Sequence, residues 1–569
     1  MSLDLEAAGR QTLATSFRQE EVDRLLAGRL LMPPHPEWAL PAEPTWQEDP
    51  FEDRNWMFQF HMLRWLEPLR RAAAKGDDEA FGMWLRWVQD WVEKNPPRSP
   101  RSPWAWTDMS DGIRAQQLCQ AAPMIAERRP DLLPWLEETI RAHAEHLADP
   151  RKMGNANHAL HQQESLFVCG RVLAEEHYWR LASERMAGLL TEQYDEQGVN
   201  AEGATAYHYN NFLWWERALE RFDIEGLARP EGADRHLHAP EEIAHATRPD
   251  GTLVPIGDTD TVDPRAIEHP AIAYVTTDGH DGEAPSDTVK IYDAGLILAR
   301  SGWGDEDRPF SQQTFYSARF GTSRRVHGHP DGGSITYSSL GVNWVVDLGK
   351  FQYGSGVVRD HVFSRAAHSL VSIEGKKPRK EATVELTGQR LTPEFHEYVL
   401  TDDSFRGIRL TRRLVYSVAG EYLCVLDTID SPRKVTALQR WQLDPAVSVD
   451  LAGATARLHT ASAHGMLATI GADAASTVVR AQEEPFDGWV STAWKTKAPA
   501  AAVTFRRSGT SIVLATVLAT DTGREPSVTG SSTADGRLEV EVSTRGMSER
   551  MTFSPAGVRL SRLDAPNAR

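Results

Sequence analysis

Apolar residues recur every three or four positions through the first half of the chain. Trp56, Phe60, Leu63 and Leu66 form one stripe, and Trp84, Trp87, Val88 and Trp91 another. Leu136, Ile140, Ala144 and Leu147 follow, then Phe212, Trp215, Leu219 and Phe222. This spacing is that of one helix face, so it predicts a series of amphipathic helices. Proline clusters at Pro33, Pro34 and Pro36, and at Pro96, Pro97, Pro100 and Pro103, read as connections between them. No fixed-period repeat is visible, so a regular solenoid is not supported.

The pattern changes after about residue 250, where period-two alternation of β-branched residues replaces the helical period. TVKIYDAGLILAR, GSITYSSL, VNWVVDLG, HSLVSIEG, RRLVYSV, EYLCVLDTI and SIVLATVLA follow one another, punctuated by Gly, Asp, Asn and Ser. Short alternating segments with turn residues between them predict an antiparallel sandwich. PDGTLVPIGDTDTVD reads as a loop and GHDGEAPSD as an acidic linker. The division therefore falls near residue 280: a helical domain over about 1–280 and a β domain over about 281–569, with room for a separate C-terminal β subdomain from about residue 500.

Composition narrows the function classes. A chain of 569 residues exceeds one ordinary core. Its 41% apolar and 25% charged content is that of a soluble globular protein. The net charge of −18 argues against nucleic acid and anionic membranes as partners. A polyanionic substrate would need a locally basic cleft. The three cysteines are far apart and form no CxxC, so neither a disulfide framework nor a zinc knuckle is signalled. The N-terminus has no basic region followed by an apolar one, and no run of about 18 apolar residues occurs, so the chain reads as cytoplasmic and without a membrane span. Self-association stays open. Thirteen of the 18 tryptophans precede residue 220. Most are expected in helix packing, with Trp104, Trp106, Trp214 and Trp215 the ones that could line a cleft where sugar rings stack.

Three clusters could carry chemistry. In GNANHALHQQE, Asn157 and His158 are adjacent and His161 lies one turn beyond. Amide and imidazole groups donate hydrogen bonds to anionic oxygen, although such residues also cap helix starts. In EGATAYHYNNF, Tyr207 and Tyr209 flank His208. A tyrosine can exchange protons when neighbours lower its pKa, but it can equally pack at a helix start. The third cluster is RRVHGHPDGGSITYSSLGVNWVVDLG, residues 324–349. On a strand, His327 and His329 would share a face. His329, Asp347 and the later His368 are ordinary zinc ligand types, with Asp331 a competing oxygen ligand. A hydrolase would instead need two carboxylates, for which Glu202 and Asp258 or Asp260 are available.

Together these clusters resemble the heparinase II/III-like polysaccharide lyases. The similarity is sharpest in HGHPDGGSITYSSLGVNWVVDLGKFQYGSG followed by SRAAHSLVSIEG, and DAGLILARSGWG resembles the start of the family's β domain. In the helical half, Asn157-His158 and Glu202-x-x-x-x-Tyr207-His208 resemble the family's catalytic segments. The resemblance implies an incomplete (α/α) toroid followed by an antiparallel β-sandwich, and β-elimination at a uronic acid. It implies that Asn157 and His158 neutralise the substrate carboxylate and that Tyr207 is the acid, serving also as base when both protons lie on one face. His327 is the alternative base, for the opposite epimer. Arg114, His161, Glu202, His208 and Trp214 would contact substrate, with Arg324, Arg325, Arg359 and Arg365 as further sources of positive field. His329, Asp347 and His368 would hold a structural Zn2+. The partner implied is a uronate-containing polysaccharide or oligosaccharide. Two departures bear on the preferred sugar: Ser369 follows His368 where relatives often have Asn, and His161, Gln162 and Gln163 stand where they often have Glu or Gln.

Overall fold

Three of the four apolar stripes each become one long helix in the computed structural model, which describes residues 3–10, 17–107, 109–322, 325–473, 475–532, 537–554 and 557–563. These helices are Asp78–Lys94, Leu133–Ala148 and Thr205–Ile224. The stripe from Trp56 to Leu66 is divided instead. Helix Arg54–His61 ends, Leu63 turns the chain with a φ of 57°, and a 3-10 turn Arg64–Leu66 leads into helix Glu67–Ala74. Pro68 suits the first turn of that helix, where its missing N–H leaves no intrahelical bond unmade. All four stripe residues are nevertheless buried, so the period located the core face but not the break.

The chain forms two units: Met1–Tyr194 with Asn211–Leu237, and Asp195–Asn210 with His238–Arg569. The first is helical, an incomplete (α/α) toroid. Helix Ala156–Val172 packs against Ser110–Gln120, Leu133–Ala148 and Glu176–Gln193, and is buried on nearly all sides. Trp46, Trp56, Phe60, Trp65 and Trp87 interlock by stacked and edge contacts in the same unit, the arrangement aromatic quadrupoles favour.

The second unit is antiparallel. A five-stranded sheet runs Val289–Tyr292, Leu296–Arg300, Phe315–Arg319, Ile335–Ser339, Val342–Val345 in spatial order. It faces an 11-stranded sheet centred on the long strands Tyr422–Gln442 and Ala502–Asp521. Tyr316, Tyr337 and Trp344 from the first sheet and Tyr398, Leu414, Trp441 and Phe505 from the second share one core. The C-terminal stretch is not separate from residue 500 onward, since Ala502–Asp521 pairs on both sides within the large sheet. Only from Ser527 does another, four-stranded sheet begin, packing Val540, Met551 and Phe553 onto the large sheet's other face.

Two details position the chemistry. Segment Asp195–Asn210 belongs with the strands, so Glu202, Tyr207 and His208 share a unit with His327. His327 and His329 lie not on a strand but in the connection between Phe315–Arg319 and Ile335–Ser339.

Candidate active site

In the strand-rich unit, the Tyr207 ring stacks on His327 with centroids 3.6 Å apart and planes 7° from parallel. The Tyr207 hydroxyl is hydrogen-bonded to that of Tyr353. Burial pushes the Tyr207 phenol well above its ordinary pKa, and Tyr353, Glu202 and Asp258 push it the same way. The phenol is therefore held protonated. His327 has a φ of 58°, in the left-handed region that costs a non-glycine residue about 1–2 kcal/mol. Its backbone is held there by close approach: Gly203 N–H donates to the Val326 carbonyl at 2.8 Å, and Asp258 N–H to the His327 carbonyl at 2.8 Å. A Cβ on Gly203 would lie 2.7 Å from the Gly328 Cα, and one on Gly257 2.5 Å from the Gly203 carbonyl oxygen.

Asp258 joins the two histidines. One carboxylate oxygen pairs with His327 Nδ1 at 3.2 Å, and the other with His329 Nε2 at 2.9 Å and Arg359 Nη1 at 2.6 Å. Burial would raise this carboxyl, but the bonds from His327 and His329 and the charges of His329 and Arg359 outweigh it and hold it far below the usual carboxylate range. Glu202 lies on the other side of His327, its Oε2 3.9 Å from Nε2. His208 turns inward: its Nδ1 accepts from Asn200 N–H at 3.1 Å and its Nε2 faces Glu242 at 2.9 Å, while Asn200 accepts from Glu202 N–H at 3.0 Å. His208 thus fixes the loop that carries Glu202.

His329, Asp347 and His368 are buried, and each offers one ligand atom, all within 4.8 Å of one another. His329 Nδ1 and His368 Nε2 are buried with no hydrogen-bond partner among the described residues. Leaving such nitrogens unpaired costs about 1–3 kcal/mol each, and a cation can satisfy them. Asp258 on the remaining nitrogen of His329 is the kind of outer carboxylate that orients a metal-binding imidazole. The donor set therefore fits a divalent metal. Burial lowers His368 but the adjacent Asp347 outweighs it and raises it, while His368 lowers Asp347 against the effect of burial. Asp331, the competing oxygen ligand, faces Arg319 at 3.5 Å instead.

Asn157, His158, His161, Trp214 and Arg114 lie in the helical unit. Asn157 and His158 occupy the first turn of helix Ala156–Val172, Asn157 buried and His158 partly so. His161 is buried, its ring 5.1 Å edge-on from Trp214 and its Nδ1 3.3 Å from Arg217. Arg217 also grips Glu164 through two bonds, at 2.8 and 2.5 Å. Arg114 lies fully inside the unit, over Trp91 at 3.7 Å, donating to His143 at 3.0 Å and to the His61 carbonyl at 2.8 Å. Burial brings its guanidinium down to about 9. In the strand-rich unit Arg365 is internal, paired with Asp402, and Arg324 lies outside the described residues.

Sequence reading did not single out Lys350 or Trp494. Lys350 Nζ sits 5.1 Å from the Tyr353 ring and 5.5 Å from Trp494, and pairs with Asp260 at 3.0 Å. Trp494, at the tip of hairpin Trp489–Ala493/Thr496–Pro499, lies 5.5 Å from Tyr353. The role of Asp258 was also missed. It could be seen only as one carboxylate in GDTD, because its partners are remote in sequence.

A model of the heparinase II/III N-terminus matches residues 29–228, and one of the heparinase II/III-like C-terminal region matches 292–534. The fold is similar to a solved heparinase III, at 17% identity and a TM-score of 0.81, covering 96% of this chain and 92% of that one. It is also similar to heparan sulfate lyase HepC from Pedobacter heparinus, at 17% identity and a TM-score of 0.71, over 99% and 92% of the two chains. A chondroitin AC lyase from Streptomyces coelicolor A3, solved with chondroitin sulphate, is more distant at 12% identity and a TM-score of 0.57, over 96% and 84%. No curated protein sequence matches this chain. With both family models matched in order along most of its length, and with a toroid followed by an antiparallel sandwich, the chain belongs to the heparinase II/III-like polysaccharide lyase family.

Proposed function

We propose that this protein cleaves uronic-acid-containing polysaccharide or oligosaccharide by β-elimination, leaving a 4,5-unsaturated uronate. The observation that carries this reading is Tyr207 stacked on His327 with Asp258 bound to His327 Nδ1. With Nδ1 donating to Asp258, Nε2 keeps a lone pair to accept the C5 proton. The C4–O bond then breaks, the C4–C5 double bond forms, and the leaving oxygen takes the Tyr207 proton. A phenol kept protonated by burial suits the acid's role. The same-face route, in which Tyr207 would serve at both steps, would first require the phenolate, and burial and the neighbouring Glu202 and Asp258 oppose that form, so the arrangement favours the route with His327 as base. Asn157 and His158 are assigned, from the family resemblance, to neutralise the uronate carboxylate and so acidify C5.

His329, Asp347 and His368 would hold zinc, which when bound supplies a rigid cross-link for the segment that carries His327. Glycoside hydrolysis is disfavoured on a specific ground. It would need a second carboxyl beside Glu202 able to face the glycosidic bond, whereas both oxygens of Asp258 are engaged by His327, His329 and Arg359, and Asp260 pairs with Lys350. The test is incubation of the purified protein with heparan sulfate, hyaluronan, chondroitin, alginate and glucuronan. Ultraviolet absorbance of the unsaturated product should rise on at least one polymer, and Tyr207→Phe should lower that rate about a thousandfold without abolishing binding. New reducing ends without an absorbance gain would assign hydrolysis instead.

A further inference from the structure

The connection between strands Val371–Ile373 and Thr383–Leu391 reads GKKPRKE over residues 375–381, and all of it is exposed. Lys376, Lys377, Arg379 and Lys380 line a hollow of about 510 Å³ together with Arg406 from the neighbouring turn. Among the residues lining it, Glu381 is the one carboxylate. A run of lysines is usually just a solvated surface.

Two observations stand against it. The loop is fastened rather than loose. Lys376 N–H donates to the Ile373 carbonyl at 3.0 Å, and Arg379 N–H to the Ser404 carbonyl at 2.8 Å. Asp403 accepts from Thr383 N–H at 2.7 Å and from Arg379 at 2.5 Å. Pro378 restricts the backbone further. The charges are thus displayed around a concavity whose ordering cost is already met in the free protein. Second, with Arg379 paired to Asp403, the four cations Lys376, Lys377, Lys380 and Arg406 against Glu381 still run counter to a chain whose net charge is −18. A local field of opposite sign to the whole is what a polyanion needs in order to approach.

Its place in the fold adds direction. Strand Thr383–Leu391 begins by pairing Thr383 with Thr322 and Val384 with Gly321. The base of the loop therefore lies beside the segment that runs on toward His327. We propose that this hollow is an accessory site for a densely anionic polysaccharide chain, gripping sulfate or carboxylate groups of the polymer beyond the sugars that react. The proposal rests on the uronate-polymer reading above. Single-stranded nucleic acid fits less well, because the lining offers no exposed aromatic for base stacking and Phe405 is buried.

The test uses the full chain carrying Tyr207→Phe, so that the ligand is not consumed. In that background, Lys376→Ala, Lys377→Ala and Lys380→Ala are combined. A control removes three exposed cations elsewhere: Lys434→Ala, Arg524→Ala and Arg559→Ala. Binding of fluorescent heparan sulfate and alginate fragments, each as chains of about twenty sugars and as tetrasaccharides, is titrated at several salt concentrations. The loop variant should bind at least one of the long chains about tenfold more weakly, with a shallower salt dependence, and the tetrasaccharide within about twofold of the parent. A loss confined to heparan sulfate names sulfate as the gripped group, and a loss on alginate names carboxylate. Unchanged long-chain binding, an equal loss in the control, or a single-stranded DNA of similar length, titrated alongside, binding more tightly than both polysaccharides overturns the proposal. Failure of the lyase reading shows separately, as absence of unsaturated product from the wild-type protein on every uronate polymer.

Discussion

Asp258 accepts from His327 on one oxygen and from His329 and Arg359 on the other, so a single carboxylate orients both the imidazole assigned as base and one assigned to metal. Asp258→Asn keeps the shape but turns an NH2 group toward one of these donors. Activity on the responsive polymer should fall about 10–100-fold and metal affinity about tenfold, the range seen when outer-shell partners of metal ligands are lost. Metal content by mass spectrometry and kcat/KM are read on the same preparation. A variant normal in both would show that Asp258 orients neither histidine. The candidate ligands and base could be named from their spacing and the family resemblance, but Asp258 could not. Nothing local to GDTD distinguishes it from Asp260, which pairs with Lys350 instead.

At the scale of elements, helix Ala156–Val172 shows how far amphipathic reasoning goes. Its sequence, ANHALHQQESLFVCGRV, has no clean polar face, because nearly every face of the helix is inside the toroid. Two of its polar residues find partners on other helices: Gln162 in Asp111 at 3.1 Å and Glu164 in Arg217. Burial would raise Glu164, but the Arg217 charge, the His161 ring at 3.9 Å and the hydrogen bonds from Arg217 outweigh it and bring it down to about 2 from 4.5. A carboxyl with a depressed folded-state pKa stabilises fully above its unfolded value and loses that contribution as pH falls through the folded one. Glu164 should therefore contribute ~3 kcal/mol at neutral pH that disappears between about pH 4.5 and 2. Denaturant unfolding of Glu164→Gln should show a stability deficit at pH 7 that closes as the pH is lowered; a gap independent of pH would contradict the pairing. In the other unit, the approach of Gly203, Gly257 and Gly328 is equally invisible to periodicity, since it depends on backbones meeting where no side chain fits.

For the molecule as a whole, the two-unit division assigns Asp195–Asn210 to the strands although it lies within the helical half of the sequence. The succession of helices then strands was legible, because each period is a short-range property. The membership of that segment was not, since its ties are to residues such as Val326 and Ile256. The buried trio His329, Asp347 and His368 belongs to the same unit and would cross-link it through a metal. Removing metal with a strong chelator should lower the unfolding temperature of the strand-rich unit by several degrees, and zinc should restore it, as expected of a ligand bound only by the folded state. Calorimetry before and after chelation checks this without reference to activity, and an unchanged transition would remove the structural role.

Sequence by itself determined the order of helical and strand-rich parts, the aromatic core of the toroid, and the residue types able to serve as acid, base and ligands. These follow from spacing along the chain, which propensity and burial impose locally. Tertiary structure alone decided that Tyr207 stacks on His327, that His327 sits in a left-handed turn rather than on a strand, and that Asp258 binds both histidines. The contacts of Asp258 with His327, His329 and Arg359 span 69, 71 and 101 residues. At such separations the partner is chosen by how sheets and loops pack, and no pattern of neighbouring residues encodes it.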